Sequence, residues 1–118
     1  MALVYRNKMI VAITSIELKS PFKIFAFLIF NQNIVHQLKS HNCIEFKKKG
    51  SWIKYYTMTL WRNKDDIKRF VHNEAHKHAI GKSKTIAKEI KTLTIEAYTL
   101  PNWKEAIILL KIKGKSHV

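Results

Sequence analysis

Histidine side chains are concentrated in one part of the sequence, residues 59–80. His72, His76 and His78 make up half of the six histidines in the chain. Imidazole titrates near neutral pH and binds transition metals, so such residues can form a metal site, hold a haem iron or act as a catalytic base. On a helix only His72 and His76, four positions apart, can share a metal ion. Because no acidic third ligand stands at a suitable spacing, we predict no metal site.

A helix must carry these histidines, and its start is visible in the sequence. Asn63 is a suitable N-cap, and Asp65 and Asp66 place negative charge in the first turn, where the helix dipole favours it. Ile67 and Phe70 then mark one apolar face of the helix.

A break in this helix is predicted near Asn73. The apolar cluster around His76 lies well around the helix axis from Phe70, so one straight helix cannot bury both groups. Asn73 can cap a second, short helix. The break would turn His76 toward the interior and leave the other two histidines nearer the solvent.

Short runs rich in β-branched and aromatic residues predict four strands. They cover residues 9–18, 43–49, 52–61 and 91–100. Gly50-Ser51 is the predicted hairpin turn between the second and third strands. Ser20-Pro21 opens a predicted helix over residues 21–39, and a short helix is predicted over residues 103–110. The order is β-α-β-β-α-β plus a C-terminal helix, a ferredoxin-like α+β fold with an antiparallel sheet.

Two of these elements carry more apolar surface than one subunit of this size can cover. The helix over residues 21–39 has two apolar lines, and the strand over residues 52–61 has large side chains on both faces. We therefore expect both faces of the sheet to be covered. A homodimer with a large apolar interface is the expected partner arrangement.

Length and cysteine content indicate a single domain over residues 1–118 that is large enough to fold without a disulfide bond. Cys43 has no partner for a disulfide, which favours a reduced, cytoplasmic protein. The most apolar run, residues 24–30, is far shorter than the roughly 20 residues of a membrane span, so no membrane insertion is expected. The N-terminus lacks the order of regions typical of a signal peptide.

The net charge of +14 raises the question of a nucleic-acid partner, because 22 basic residues oppose 8 acidic ones. The lysines are scattered through every segment, however, and Lys47-Lys48-Lys49 is the only run. No helix-turn-helix, zinc-finger or stacking motif accompanies the charge. We predict no specific nucleic-acid binding.

Two stretches, "YYTMTLWRNKDDIKRFVHNEAHKHAI" and "LPNWKEAIILL", resemble the dimeric α/β-barrel superfamily. They are most similar to a branch of small proteins related to antibiotic-biosynthesis monooxygenases and to spheroidene monooxygenase. In that branch a strand ending in Thr-x-x-Trp leads into a helix with a phenylalanine, followed by Ala-His. The nearest counterparts here are Thr59 or Thr57, two and four positions before Trp61 rather than three, followed by Phe70, Ala75 and His76.

The resemblance implies a homodimeric α/β barrel with one pocket per subunit between the sheet and its helices. The superfamily includes cofactor-independent monooxygenases acting on aromatic polyketides, and haem-degrading enzymes. The haem-degrading members use an asparagine on the first strand and a tryptophan and a histidine on the second helix. Here Thr14 and Phe70 stand in place of the first two, and only His76 remains. The cofactor is therefore unknown: none is required, or haem is the lesser alternative.

Two functions from different classes follow. The first is a monooxygenase-like protein that binds a small apolar aromatic, polyene or haem-type ligand. Tyr55, Trp61, Phe70 and Thr14 would line its pocket, with His76 as the candidate catalytic residue. The second is a non-catalytic dimeric ligand-binding or structural protein on the same scaffold. Core packing explains Trp61 equally well, because large aromatics dominate buried area, and a turn hydrogen bond explains His76.

Overall fold

A computed structural model describes residues 8–23, 43–71 and 86–116 of the chain. Most of the predicted helix over residues 21–39, the predicted break near Asn73 and the candidate catalytic residue His76 lie outside these described residues.

The described part contains five strands and two α-helices. They are β1 (Met9–Leu18), a 3-10 turn (Pro21–Lys23), β2 (Glu45–Ser51), β3 (Lys54–Trp61), α1 (Lys64–Val71), β4 (Ala87–Ala97), α2 (Trp103–Lys113) and β5 (Lys115–Ser116). The strands form one sheet in the order β2-β3-β1-β4-β5, and each neighbouring pair is antiparallel. The predicted ferredoxin-like α+β fold is confirmed.

Strand β1 lies at the centre of the sheet, and its side chains alternate between the two faces. The even-numbered residues, such as Ile10, face helix α1, and we call this side the α1 face. The odd-numbered residues, such as Val11 and Ile13, face the C-terminal helix α2, and we call this side the α2 face. Both faces are therefore covered over part of their length, as predicted.

Helix α2 closes the larger apolar core. Its cap is Asn102, whose Oδ1 accepts a hydrogen bond of 2.8 Å from the Glu105 backbone N–H. Ala106 and Leu110 pack on the α2 face. Burying one leucine of this kind contributes about 1.5–3 kcal/mol. The core members that are buried there are Val11, Ile13, Met58, Leu60, Leu100, Ala106 and Leu110.

The hairpin between β2 and β3 turns later than predicted. Ser51 is opposite Lys54, so Trp52 and Ile53 form the turn. Gly50 instead lies inside β2 beneath Tyr55, where a Cβ atom would overlap the tyrosine ring. The glycine is needed for this close packing rather than for a turn.

The last predicted strand is also shifted. β4 spans Ala87–Ala97 rather than 91–100, because Ala87 pairs with Leu18 beyond a register shift in β1. The Lys19 backbone N–H extends this pairing with a 2.9 Å hydrogen bond to the carbonyl of Ile86. The C-terminal helix is longer than predicted, and the two residues of β5, absent from the prediction, pair with Lys91 and Thr92.

No helix among the described residues is long and apolar enough to cross a membrane.

The strand predicted to be buried on both faces is buried only in its second half. Residues Met58, Thr59, Leu60 and Trp61 are buried, whereas residues 54–57 are partly exposed. Trp52 at the turn is 73% exposed.

Candidate functional site

The α1 face has a polar centre between two apolar ends. At one end Ile10, Trp61 and Phe70 form a buried cluster. At the other end Leu18 and Ile86 form a second cluster. The centre is a block of six positions on three strands, five of which are threonines. We call these five the threonine floor: Thr14, Thr57, Thr59, Thr92 and Thr94.

The strand register sets the floor. On the row through Thr14, the neighbours are Thr57 on β3 and Thr92 on β4. On the row through Ala12 they are Thr59 and Thr94. Threonine suits a pleated strand because its β-carbon is branched. Its hydroxyl both donates and accepts hydrogen bonds, while its methyl group is apolar.

A floor of this kind can hold an apolar ligand that carries oxygen atoms. Thr14, Thr57 and Thr92 are partly exposed, so their side chains are accessible to a molecule above the sheet. Thr92 already has an interaction of its own, and Thr59 accepts a hydrogen bond from Trp61. Thr94 is exposed, which leaves Thr14 and Thr57 as the partly buried threonines best placed to contact a ligand.

Trp61 and Phe70 form the wall at one end of the floor. Their ring centroids are 5.4 Å apart with an interplanar angle of 31°. Trp61 is 1% exposed, and its indole Nε1–H donates a 2.8 Å hydrogen bond to Thr59 Oγ1. Since the indole is buried and its N–H already has a partner, Trp61 bounds the floor as part of the core.

The predicted cap of α1 explains why Phe70 meets Trp61. Asn63 Oδ1 accepts a 3.0 Å hydrogen bond from the backbone N–H of Asp66, which fixes the start of the helix directly after β3. Ile67 and Phe70 then lie on the side of the helix that packs against Trp61. This part of the sequence prediction is confirmed.

Tyr55 lies at the opposite end of the face. It packs with Ile16, Ile53, Leu18 and Ile86. Tyr55 and Trp61 are six positions apart on β3, which corresponds to about 20 Å. Thr14 lies between them, opposite Thr57. The structure therefore brings Trp61 and Phe70 together and separates both from Tyr55.

Thr14 was the one threonine of the floor among the ligand-binding candidates from sequence. Thr57 and Thr59 were named only for the family motif, and Thr92 and Thr94 were not singled out. Their alternation in the stretch Lys91-Thr-Leu-Thr-Ile indicates that both share one face. Only the register of β4 against β1 shows that this face is the one carrying Thr14.

Cys43 packs beside the Trp61 and Phe70 cluster but is not an activated nucleophile. Its Sγ donates a 3.1 Å hydrogen bond to the carbonyl of Glu45. Burial raises the pKa of the Cys43 thiol. Because the thiolate is the reactive form, a raised pKa keeps this residue unreactive at neutral pH.

Metal ligands do not cluster in the parts of the chain covering residues 8–23, 43–71 and 86–116: no three His, Cys, Asp or Glu side chains there could hold a metal ion. His72 and His76, the pair that could share a metal, lie outside these ranges. His76, the candidate base for a reaction above the threonine floor, is therefore not part of the described site.

Comparisons with known proteins identify the fold. No protein-family model and no curated protein matches the sequence. A Bacteroides thetaiotaomicron protein of unknown function, described as a possible oxidoreductase, has 16% identity and a TM-score of 0.66, covering 77% of this chain and 99% of its own. A Caulobacter crescentus protein whose name suggests an antibiotic biosynthesis monooxygenase has 15% identity and a TM-score of 0.66, covering 82% and 94%.

A third structure gives the same result. A Nitrosomonas europaea protein whose name also suggests an antibiotic biosynthesis monooxygenase has 13% identity and a TM-score of 0.68, covering 80% of this chain and 95% of its own. The chain has the fold of these antibiotic biosynthesis monooxygenase-like proteins. Because one fold hosts many activities, the match establishes the scaffold and not the reaction.

Proposed function

We propose that the protein is a monooxygenase-like enzyme that binds a small aromatic or polyene ligand on the α1 face. The observation that carries the proposal is the threonine floor. Only Thr59 among the five is buried, and its hydroxyl accepts a hydrogen bond from Trp61, whereas the other four threonines are partly exposed or exposed and so accessible to a ligand. Five threonines between two apolar clusters suit a ligand with an apolar body and a few oxygen atoms.

The proposed roles follow from position. Thr14 with Thr57 hydrogen-bonds the oxygen atoms of the ligand, and the buried cluster of Trp61 and Phe70 supports the floor at one end and limits how far the ligand extends. Tyr55 contacts only a ligand long enough to reach the far cluster. His76 is the proposed base, because the described residues of the threonine floor carry no group that titrates near neutral pH.

A hydroxylated aromatic substrate needs no reducing cofactor in such a reaction. A phenol and O2 give a quinone and water: one oxygen atom enters the ring, the other leaves in water, and the substrate supplies all the electrons. The phenol proton would pass to His76. The threonine hydroxyls would stabilise the oxyanion that remains.

The test uses a dihydroxynaphthalene as substrate, because its quinone product absorbs visible light. We expect quinone formation that requires O2 and the protein, and that falls by about 100-fold or more in His76→Ala, as for loss of a general base. Thr14→Val should weaken substrate binding at similar stability. His78→Ala is the matched control, with activity close to that of the unchanged protein. Absence of turnover with substrate bound would contradict the enzymatic role.

The non-catalytic alternative keeps the same binding face. It is favoured by the internal hydrogen bond of Trp61 and by the raised pKa of the Cys43 thiol, which leave neither the indole N–H nor the thiol available for a reaction. Ligand binding that depends on Thr14, with no product formed, would support it. Haem is distinguished by absorbance: a Soret band on adding haem that disappears in His76→Ala would support haem binding.

We also propose that the protein is a homodimer. Helix α2 carries exposed isoleucines, with Ile108 48% and Ile112 73% exposed, on the side away from its own sheet. A second copy of the chain could cover this surface with a symmetric contact. Analytical ultracentrifugation at low micromolar concentration should show a dimer, and a stable folded monomer would contradict the proposal.

A further inference from the structure

A row of polar side chains crosses the α2 face where its aliphatic core ends. The strand register places Tyr56 and Lys91 on either side of Ser15. The same row continues to Lys49 on β2 and to Ser116 on β5. All five side chains can donate hydrogen bonds. On β1 this row directly follows Val11 and Ile13, which are 0% and 1% exposed.

A cavity of about 160 Å³ lies between this row and helix α2. Its lining residues come from three strands and the helix: Ser15, Lys54, Tyr56, Lys91, Ile107, Leu110 and Lys111. Ser15 is 3% exposed, so its hydroxyl is a polar group within the fold rather than on the surface. Ile107 and Leu110 give the cavity an apolar wall on the helix side.

The charge of the lining is positive. Lys54, Lys91 and Lys111 contribute three ammonium groups, and no carboxylate is among the lining residues. Two acidic side chains lie near on the same face. Glu89 Oε1 is 4.0 Å from Lys91 Nζ, at the limit of an ion pair, and Glu17 Oε2 is 3.7 Å from Lys88 Nζ. The three lysines of the cavity therefore outnumber the two carboxylates that lie near them.

We propose that this cavity binds a small carboxylate that carries an apolar body. The lysines together with the hydroxyls of Ser15 and Tyr56 would hold the carboxylate, since charge-assisted hydrogen bonds are the stronger kind. Ile107 and Leu110 would pack against the apolar part. A cavity of about 150 Å³ can hold benzene, so a ligand near the size of benzoate matches the volume.

This site is separate from the threonine floor, which lies on the other face of the sheet. Its occupant need not be the substrate of the proposed reaction. The proposal therefore stands or falls independently of the proposed function, and variants on each face distinguish the two.

The test is isothermal titration of the full chain with benzoate, with benzyl alcohol as the neutral analogue and inorganic phosphate as the fully polar anion. We expect saturable binding of benzoate. Benzyl alcohol should bind at least about tenfold more weakly, because one lost charge-assisted hydrogen bond is equivalent to about that factor. Phosphate should also bind at least about tenfold more weakly, because it has no apolar body to bury against Ile107 and Leu110. Phosphate binding as tight as benzoate would overturn the apolar requirement. Benzyl alcohol binding as tight as benzoate would overturn the role of the lysines.

Matched variants assign the binding to the cavity. Lys54→Gln combined with Lys91→Gln should weaken benzoate binding at least about tenfold. Lys64→Gln combined with Lys68→Gln on α1 removes the same charge and should leave the affinity within about twofold. Urea midpoints verify that each variant is folded. Equal loss in both lysine pairs would overturn the site and indicate attraction by net charge only.

Discussion

The two faces of strand β1 arrange polar and apolar residues in opposite ways. On the α1 face the polar residue, Thr14, stands in the middle, with Ile10 at one end and Leu18 at the other. On the α2 face Val11 and Ile13 are aliphatic and are followed by Ser15 and Glu17.

The position of a polar residue on a covered face determines what it indicates. At the end of a face it can mark the boundary of the core, where water takes over. In the middle it interrupts the apolar surface between two clusters, and Thr14, which is partly exposed there, is accessible to a molecule above the sheet. Ser15 gains significance only from the cavity beside it, whereas the threonines around Thr14 are notable by position alone.

The largest effect on the free energy of unfolding is expected at the end of the α1 face that Ile10, Trp61 and Phe70 form. Trp61→Ala removes a side chain that is 1% exposed and that packs on Phe70. It should lower the free energy of unfolding by about 3–5 kcal/mol. Urea unfolding followed by circular dichroism would show this as a lower midpoint at unchanged slope.

The control for this change is Phe22→Ala, which truncates an aromatic side chain that is 90% exposed. It should alter the free energy of unfolding by less than about 0.5 kcal/mol. If Trp61→Ala lowered the free energy of unfolding by no more than Phe22→Ala, the cluster at this end of the α1 face would not be part of the core.

An intermediate effect on the free energy of unfolding is expected when an aliphatic residue of the α2 face and a threonine of the α1 face are each replaced by the other type. Val11→Thr places a hydroxyl in the aliphatic core of the α2 face, where Val11 is 0% exposed. It should lower the free energy of unfolding by about 1–3 kcal/mol. Thr14→Val, the reciprocal change on the partly exposed α1 face, should change it by less than about 0.5 kcal/mol.

The pair is measured by the same urea titration. Equal losses from Val11→Thr and Thr14→Val would mean that the Thr14 hydroxyl is needed for folding. The threonine floor would then be a structural network rather than a surface for a ligand.

The sequence was sufficient for the order of strands β1 to β4 and of helices α1 and α2 because the hydrophobic period changes clearly along the chain. The alternation from Met9 to Leu18 and the cap at Asn63 are local signals, and both are present in the structure. Trp61 and Phe70 were proposed to line one pocket from the family resemblance and not from local periodicity. The close contact of their rings is consistent with that proposal.

Features that depend on pairing between distant segments were not predictable in this way. The threonines of β4 join Thr14 only through the register of two strands, and the cavity forms only where α2 lies over Ser15. The two residues of β5 are too few to show a period. The hairpin turn was misplaced because Gly50 is the expected turn residue, whereas the actual turn begins at Trp52.

The smallest effect is expected at this turn. Trp52 has φ 56, a conformation that costs a residue with a Cβ atom about 1–2 kcal/mol and that glycine adopts freely. Trp52 is also 73% exposed, so few contacts offset the cost. Trp52→Gly should therefore raise the free energy of unfolding by about 1 kcal/mol, after the larger chain entropy of glycine in the unfolded state is subtracted. Ile53→Gly, at the next position of the same turn, removes a partly buried side chain where φ is not positive, and should lower it. Thermal and urea unfolding of both variants measure the difference, and a loss of stability in Trp52→Gly would show that the exposed indole makes contacts that outweigh the backbone strain.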